Sequence, residues 1–502
     1  MSTIRRQSII SSGIVYFGFG LGALNTYLLT REHGGFMPDQ YGLVSMFVVI
    51  GTMMYSFSNL GMQSYVFKFY PYYNDNLPHE KNDMMSWALL VSMGGFILVI
   101  LAGYIFKDLV IRKYEAESPE LIKYYNWIFP FGFGLSMFTL LEAYAWQLKR
   151  SALTNFLREV LFRLFTTTLI VLTFTGALAS FDTFIKIYAF TYIILASILL
   201  SIIVKDGQLH LTLTPSRVTK KFLPKIKAMA TLVWGGTLVY NTSTYFANLV
   251  IASVVVGGLS PAAVYTLAQY IAMLMQAPQR SIISVAIGQL SKAWKDKDLG
   301  KINRIYQRSS INQLIFSVAV FILIWINFED GVTSFHLKST YLAAKYVFLY
   351  LGLKCVIDMG TGLNAQVIST SSYWRFDFFT GVLLVAMTLP LNYILAKRVG
   401  VTGPAIADLI TFTIYNGIRW LFLYRKFNMQ PFTNKTVLTI LLGSGGYLVC
   451  YLLFKDYHGF LWIVVRSLTF IVIYGAGVLG LNLSEDVLPV WKTLKKRLGL
   501  GF

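Results

Sequence analysis

Ionisable residues inside apolar stretches are the groups in this chain most able to do chemistry. Arg280 lies near the middle of YTLAQYIAMLMQAPQRSIISVAIGQLSK, residues 265–292, an apolar run long enough to cross a bilayer. An arginine at that depth is costly unless it faces protein or water, so by default it marks a pathway. Pro278, two residues before it, removes a backbone hydrogen bond and predicts a kink. The guanidinium has three destinations: carbonyls freed by the kink, an acid from another helix, or an anionic substrate. The planar fork of arginine suits phosphate.

Other charges fall in similar runs. Glu159 and Arg163 are four apart, as are Lys354 and Asp358, which places each pair on one helix face. Each set reads either as a neutralised structural pair or as the lining of a wet cavity whose cations hold an anionic headgroup. Arg163 and Lys354 are therefore candidate substrate ligands, and Glu142, Asp358 and Asp408 are candidate ion-coupling groups. Arg419 and Arg466 read as structural or interfacial. Lys68 closes an apolar run, where snorkelling to the interface competes with a substrate role. Asn25, Asn241, Asn248 and Gln269 predict interhelical hydrogen bonds, with sugar recognition as the sharper alternative, for which Asn25 is the candidate.

No catalytic constellation and no P-loop is present, and no cofactor is expected. The glycines of GFGLG (Gly18 to Gly22) and GFG (Gly132 to Gly134) suit close helix packing better than phosphate binding. The five histidines have no metal-ligand spacing with one another or with cysteine, so no metal site is expected. Cys355 and Cys450 lie in apolar runs and do not form a disulfide framework.

The elements that must position these groups follow from composition. The 502 residues are 56% hydrophobic and only 13% charged, with mean hydropathy +0.59. Soluble domains carry roughly 25% charged residues. The fold class expected is all-α and polytopic, with about fourteen membrane helices, since a β-barrel would show short alternating strands. The spans expected are 8–30, 41–67, 84–106, 121–147, 153–176, 182–204, 228–256, 262–290, 310–328, 341–369, 374–396, 402–424, 436–454 and 460–482. The net charge of +20 is read as loop charge obeying the positive-inside rule, not as a nucleic-acid surface. With the N-terminus inside, about 26 cations fall on the cytoplasmic side and about 11 outside, so both termini are expected in the cytoplasm.

The basic segment 205–227 divides the chain into an N-lobe of six spans (1–204) and a C-lobe of six (228–430), leaving two further helices and a basic tail in 431–502. A weak internal match sets Tyr41 to Lys68 against Tyr265 to Lys292, both intervals of 27 residues. Parallel repeats of this kind place substrate sites near mid-membrane. In that register Ser56 is the counterpart of Arg280.

Five segments carry a family resemblance: SIISSGIVYFGFGLG at the start, DQYGLVSMF, NLGMQSYVFKFY, TGLNAQVISTSSYWRFDF, and GPAIADLITFTIYNGIRWLFLYRKFNMQPF. Together with the six-plus-six-plus-two arrangement, they make the chain similar to the Wzx-type polysaccharide flippases of the multidrug/oligosaccharidyl-lipid/polysaccharide exporter superfamily. The resemblance covers nearly the whole chain. It implies movement of an undecaprenyl-diphosphate-linked oligosaccharide to the outer leaflet of a bacterial inner membrane by alternating access, for surface polysaccharide or lipopolysaccharide synthesis. It also implies a monomer with a cationic central cavity, membrane lipids and polysaccharide-assembly proteins as partners, and no enzymatic activity. Lys68 lies where the family often has a basic residue, and Arg280 and Arg163 match by general location. Two alternatives stand beside it: an ion-coupled multidrug antiporter of the same superfamily, and a membrane polysaccharide polymerase or ligase. The last would need a large external loop, and no outer loop here looks long enough.

Overall fold

The computed structural model describes residues 3–486, excepting the side chains at positions 3–12, 16, 280, 281, 284, 285 and 374. It is helical throughout, as the composition predicts. Nine helical stretches among the described residues are long and apolar enough to cross a membrane, of which Phe181–Lys205 and Arg375–Phe427 each run over two α-helices. Backbone packing divides the chain into two units, Met1–Ala263 and Val264–Phe502. The expected lobe boundary at 205–227 concerns repeats in the membrane and stays a proposal.

The first unit begins with α1 (Thr3–Thr30), α2 (Pro38–Ser58), α3 (Met62–Asn76) and α4 (Met84–Ile105). The short helices α5 (Lys107–Tyr114) and α6 (Pro119–Lys123) lead into α7 (Tyr125–Gln147). Next come α8 (Ser151–Asn155), a π-helical turn over Phe156–Leu161, α9 (Phe162–Phe174), α10 (Phe181–Tyr188), α11 (Thr191–Lys205) and α12 (Arg217–Val254). The expected second span is broken. Leu60 and Gly61 adopt positive φ of 47° and 77°, and α3 then continues to Asn76. Lys68 therefore sits inside α3 and exposed, instead of closing a span.

The second half of the expected 205–227 linker is helix, because α12 starts at Arg217 under the Ser216 cap, whose Oγ accepts from Thr219 N at 3.2 Å. Fully buried Asp83 anchors that start, accepting from Ser216 N at 2.8 Å and Thr219 Oγ1 at 2.7 Å. Thr219 in turn bonds Tyr73, which accepts from Tyr65. Further along α12, Trp234 donates to Ser56 O and Asn241 to Ser56 Oγ, so α12 packs on α2 and α3.

α13 (Leu259–Met275) crosses the division between units. The second unit continues with α14 (Ala277–Lys295), α15 (Leu299–Ser334), α16 (Ala344–Gly360) and α17 (Asn364–Ser369). It ends with α18 (Trp374–Val399), α19 (Gly403–Phe427), α20 (Asn434–Phe454) and α21 (Phe460–Gly480). The eighth span is interrupted at Gln276 instead of being one kinked helix. Pro278 then falls in the first turn of α14, where a missing N–H costs nothing. The Tyr41–Tyr265 register would align Gln276 with Thr52 inside α2, so the two breaks do not coincide. The tenth span is likewise cut at Gly362, with φ of 68°.

Arg466 is 8% exposed on α21 and is a structural anchor, as its sequence setting suggests. It pairs with buried Asp330 of α15 and donates to the Ile326 carbonyl at 2.8 Å. Cys355 and Cys450 are buried free thiols.

Candidate functional site

In the first unit buried Glu142 and the half-buried Arg158, Glu159 and Arg163 gather around the π-helical turn. A π turn inserts a residue, leaves carbonyls without their usual partners and is frequent at functional sites. Gly18 of α1 makes the close approach possible, since a Cβ there would lie 2.7 Å from the Glu159 carbonyl oxygen. Gly20 faces open space, whereas Gly18 takes the packing role expected of the GFGLG glycines. Gly132 and Gly134 behave alike against Met54 and Ile193.

Around the turn, Arg158 reaches Glu142 of α7 at 2.8 Å, and Arg163 reaches Glu159 at 2.9 Å. The second pair is the one predicted from spacing. The first joins residues 16 apart and is invisible to a helix-face rule. Glu142 is only 1% exposed, and Arg158 covers Phe138 at 5.5 Å. Asn25 donates to the Arg163 carbonyl at 2.9 Å and accepts from Thr167 Oγ1. Its amide thus clamps α1 to α9, which is the interhelical role. Two cations and two carboxylates balance, so the cluster is neutral when fully ionised.

In the second unit the polar groups gather beside the α13–α14 break. Lys354 does not pair with Asp358, as its spacing predicts. Its ammonium lies 2.8 Å from Asp408 of α19 and 3.9 Å above the Phe412 ring. A tertiary neighbour thus wins over the same-face partner. Asp358 instead accepts from Asn416 of α19 at 3.1 Å and from Gln279, in the first turn of α14, at 3.4 Å. Asn416 accepts from Asn364 at 2.8 Å, tying α17 into the same network. Arg419, 4% exposed, pairs with Asp377, donates to Thr380 at 3.2 Å and stacks on Tyr415 at 3.9 Å.

Among the described residues of this cluster, Lys354 offsets Asp408 and Arg419 offsets Asp377, while the described hydrogen-bond donors to Asp358 are neutral amides. Arg280 follows Gln279 directly on α14, and its side chain lies outside the described residues. Sequence reasoning missed Asn416, Asn364 and the break itself. Of the predicted ligands, Lys354 and Asp408 pair with each other, and Asp358 enters a separate amide network between the same helices α16 and α19. Arg163, Asn25 and Glu142 fall in the unit-1 cluster, and Lys68 joins neither.

No family model matches the chain, and no curated protein matches it. Solved structures do. The fold is similar to "Lipid II flippase MurJ, inward closed conformation", with TM-score 0.70 and 17% identity over 93% of this chain and 98% of that one. It is also similar to an inward-facing multidrug resistance MATE family transporter of the MOP superfamily, with TM-score 0.60 and 16% identity over 82% of this chain and 96% of that one. At 17% and 16% identity these two likenesses establish the fold alone.

Proposed function

We propose that this chain is a flippase that moves an undecaprenyl-diphosphate-linked oligosaccharide across the bacterial inner membrane by alternating access, for surface polysaccharide synthesis. The carrying observation is the match to a lipid II flippase at TM-score 0.70 over 93% of the chain. That coverage leaves too few residues unmatched to omit both α20 and α21. The multidrug transporter covers 82% of the chain at TM-score 0.60, which keeps an ion-coupled antiporter as the second reading.

In the proposed mechanism Arg280 binds the diphosphate, a role suited to a bidentate cation at the α13–α14 break. Lys68, Arg163, Lys354 and Asn25 are the further substrate ligands proposed. Arg163, Lys354 and Asn25 would have to leave their present partners to serve. Asp358, with its neutral described donors, is the first choice for coupling an ion, followed by Asp408 and Glu142. Both termini face the cytoplasm in this reading, the chain acts as a monomer, and it has no enzymatic activity. Arg280→Ala should abolish complementation of a flippase-null strain at unchanged expression. Full complementation by that variant would refute the role of Arg280.

A further inference from the structure

We propose that the basic end of α14 and α15 carries a regulatory or structural site for an anionic phospholipid. The second unit holds a cavity of about 820 Å³ there. Lys301, Arg304 and Arg308 line it from α15. Their spacing of three and four residues puts all three on one helix face. Ile282 and Ala286 of α14, with Ile305 and Leu363, line the same cavity and belong to an apolar cluster. The cavity is thus cationic on one side and apolar on another, which is the chemistry of a phospholipid and not of a free anion. Basic pockets between membrane helices on the cytoplasmic side bind such headgroups.

An anion already occupies part of the site. Asp486 takes a fork of two hydrogen bonds from Arg308, through Nη2 and through Nε at 3.2 Å, and a third from Asn312 at 2.7 Å. This carboxylate shows that Arg308 and Asn312 are set to receive paired oxygens. Lys301 and Arg304 are exposed and make no ion pair among the described residues. The cavity's other carboxylate, Asp298, accepts from Lys301 N at 2.9 Å and caps α15. The geometry therefore gives the phosphate to Lys301 and Arg304, with Arg308 shared between the lipid and Asp486. The first acyl carbons lie against Ile282 and Ile305. Asp486 is a built-in competitor, so its carboxylate and the lipid oppose each other.

The test uses the full chain in detergent, titrated with phosphatidylglycerol or with phosphatidylcholine of the same acyl chains, and read by native mass spectrometry. Phosphatidylglycerol should bind preferentially. Arg304→Gln should weaken it roughly fivefold and Lys301→Gln with Arg304→Gln roughly thirtyfold, while phosphatidylcholine is unaffected. Asp486→Asn should strengthen binding, a change in the opposite direction to any loss of folding. Equal binding of the two lipids, indifference to the double substitution, or weakening by Asp486→Asn would each overturn the site. Displacement of phosphatidylglycerol by millimolar inorganic phosphate would overturn the lipid assignment in favour of a free anion.

Discussion

Breaking the Lys354–Asp408 pair separates a structural role from a working one. Both side chains are largely buried, 18% and 9% exposed, and the pair is 2.8 Å long. Asp408→Ala leaves the ammonium without its carboxylate. Removing one partner of a buried pair costs about 3–5 kcal/mol. The Phe412 ring 3.9 Å from Lys354 still faces the cation and offsets about 0.5–2 kcal/mol. The net loss is then about 1–4.5 kcal/mol, seen as a lower melting temperature in detergent-solubilised protein. Replacing both partners, as Lys354→Met with Asp408→Leu, removes the stranded charge and should restore stability to within about 1 kcal/mol of the parent. Transport should remain lost in that double variant, because the account uses these groups in coupling and substrate binding. Parental transport rates in the restored protein would refute that use and leave the pair purely structural.

Other outcomes follow from the same geometry. Gly18→Ala should destabilise by about 1–3 kcal/mol by forcing a Cβ onto the Glu159 backbone, whereas Gly20→Ala, with open space around it, should be neutral or stabilising in the same melting assay. Asp83→Ala should strand the Ser216 amide and the Thr219 hydroxyl, cost about 1–3 kcal/mol and speed hydrogen exchange over residues 216–219. Burial alone would raise the Asp486 carboxyl, but the hydrogen bonds from Arg308 and Asn312 outweigh it and hold the group below its ordinary value. A carboxyl lowered in this way stabilises the docked segment above its unfolded pKa of about 3.9 and stops doing so as pH falls through the lowered value. Limited proteolysis near residues 481–486 should therefore be resisted at neutral pH and accelerate in acid below about pH 4.

The helical class was legible because hydrophobic runs of bilayer length need no tertiary information. Glu159–Arg163 was legible for a related reason, since both partners lie on one helix. Lys354 shows the limit of that rule. Its same-face acid, Asp358, is drawn to Asn416 and Gln279, and Asp408 arrives from α19, which no spacing within α16 reveals. Breaks were also hard to read. Pro278 signals a helix start as well as a kink, and only the hydrogen-bond pattern chooses between them. Asn59-Leu60-Gly61 carried a turn signal that the surrounding apolar run masked. The π turn at 156–161 has no composition of its own, although Gly18, which lets α1 approach it, was recognised as a packing residue. Asp83 lies just before the apolar run that starts at residue 84, so composition does not mark it as a buried charge, yet the α12 start folds over it and buries it fully.

The central claim is best tested by reconstituting the purified chain in liposomes and measuring translocation of an undecaprenyl-diphosphate-linked oligosaccharide, with cationic drug efflux measured in parallel under the same ion gradients. The account predicts leaflet exchange of the lipid-linked sugar that Arg280→Ala abolishes, and no drug efflux. Drug efflux without headgroup movement would contradict it and assign the fold to the antiporter reading.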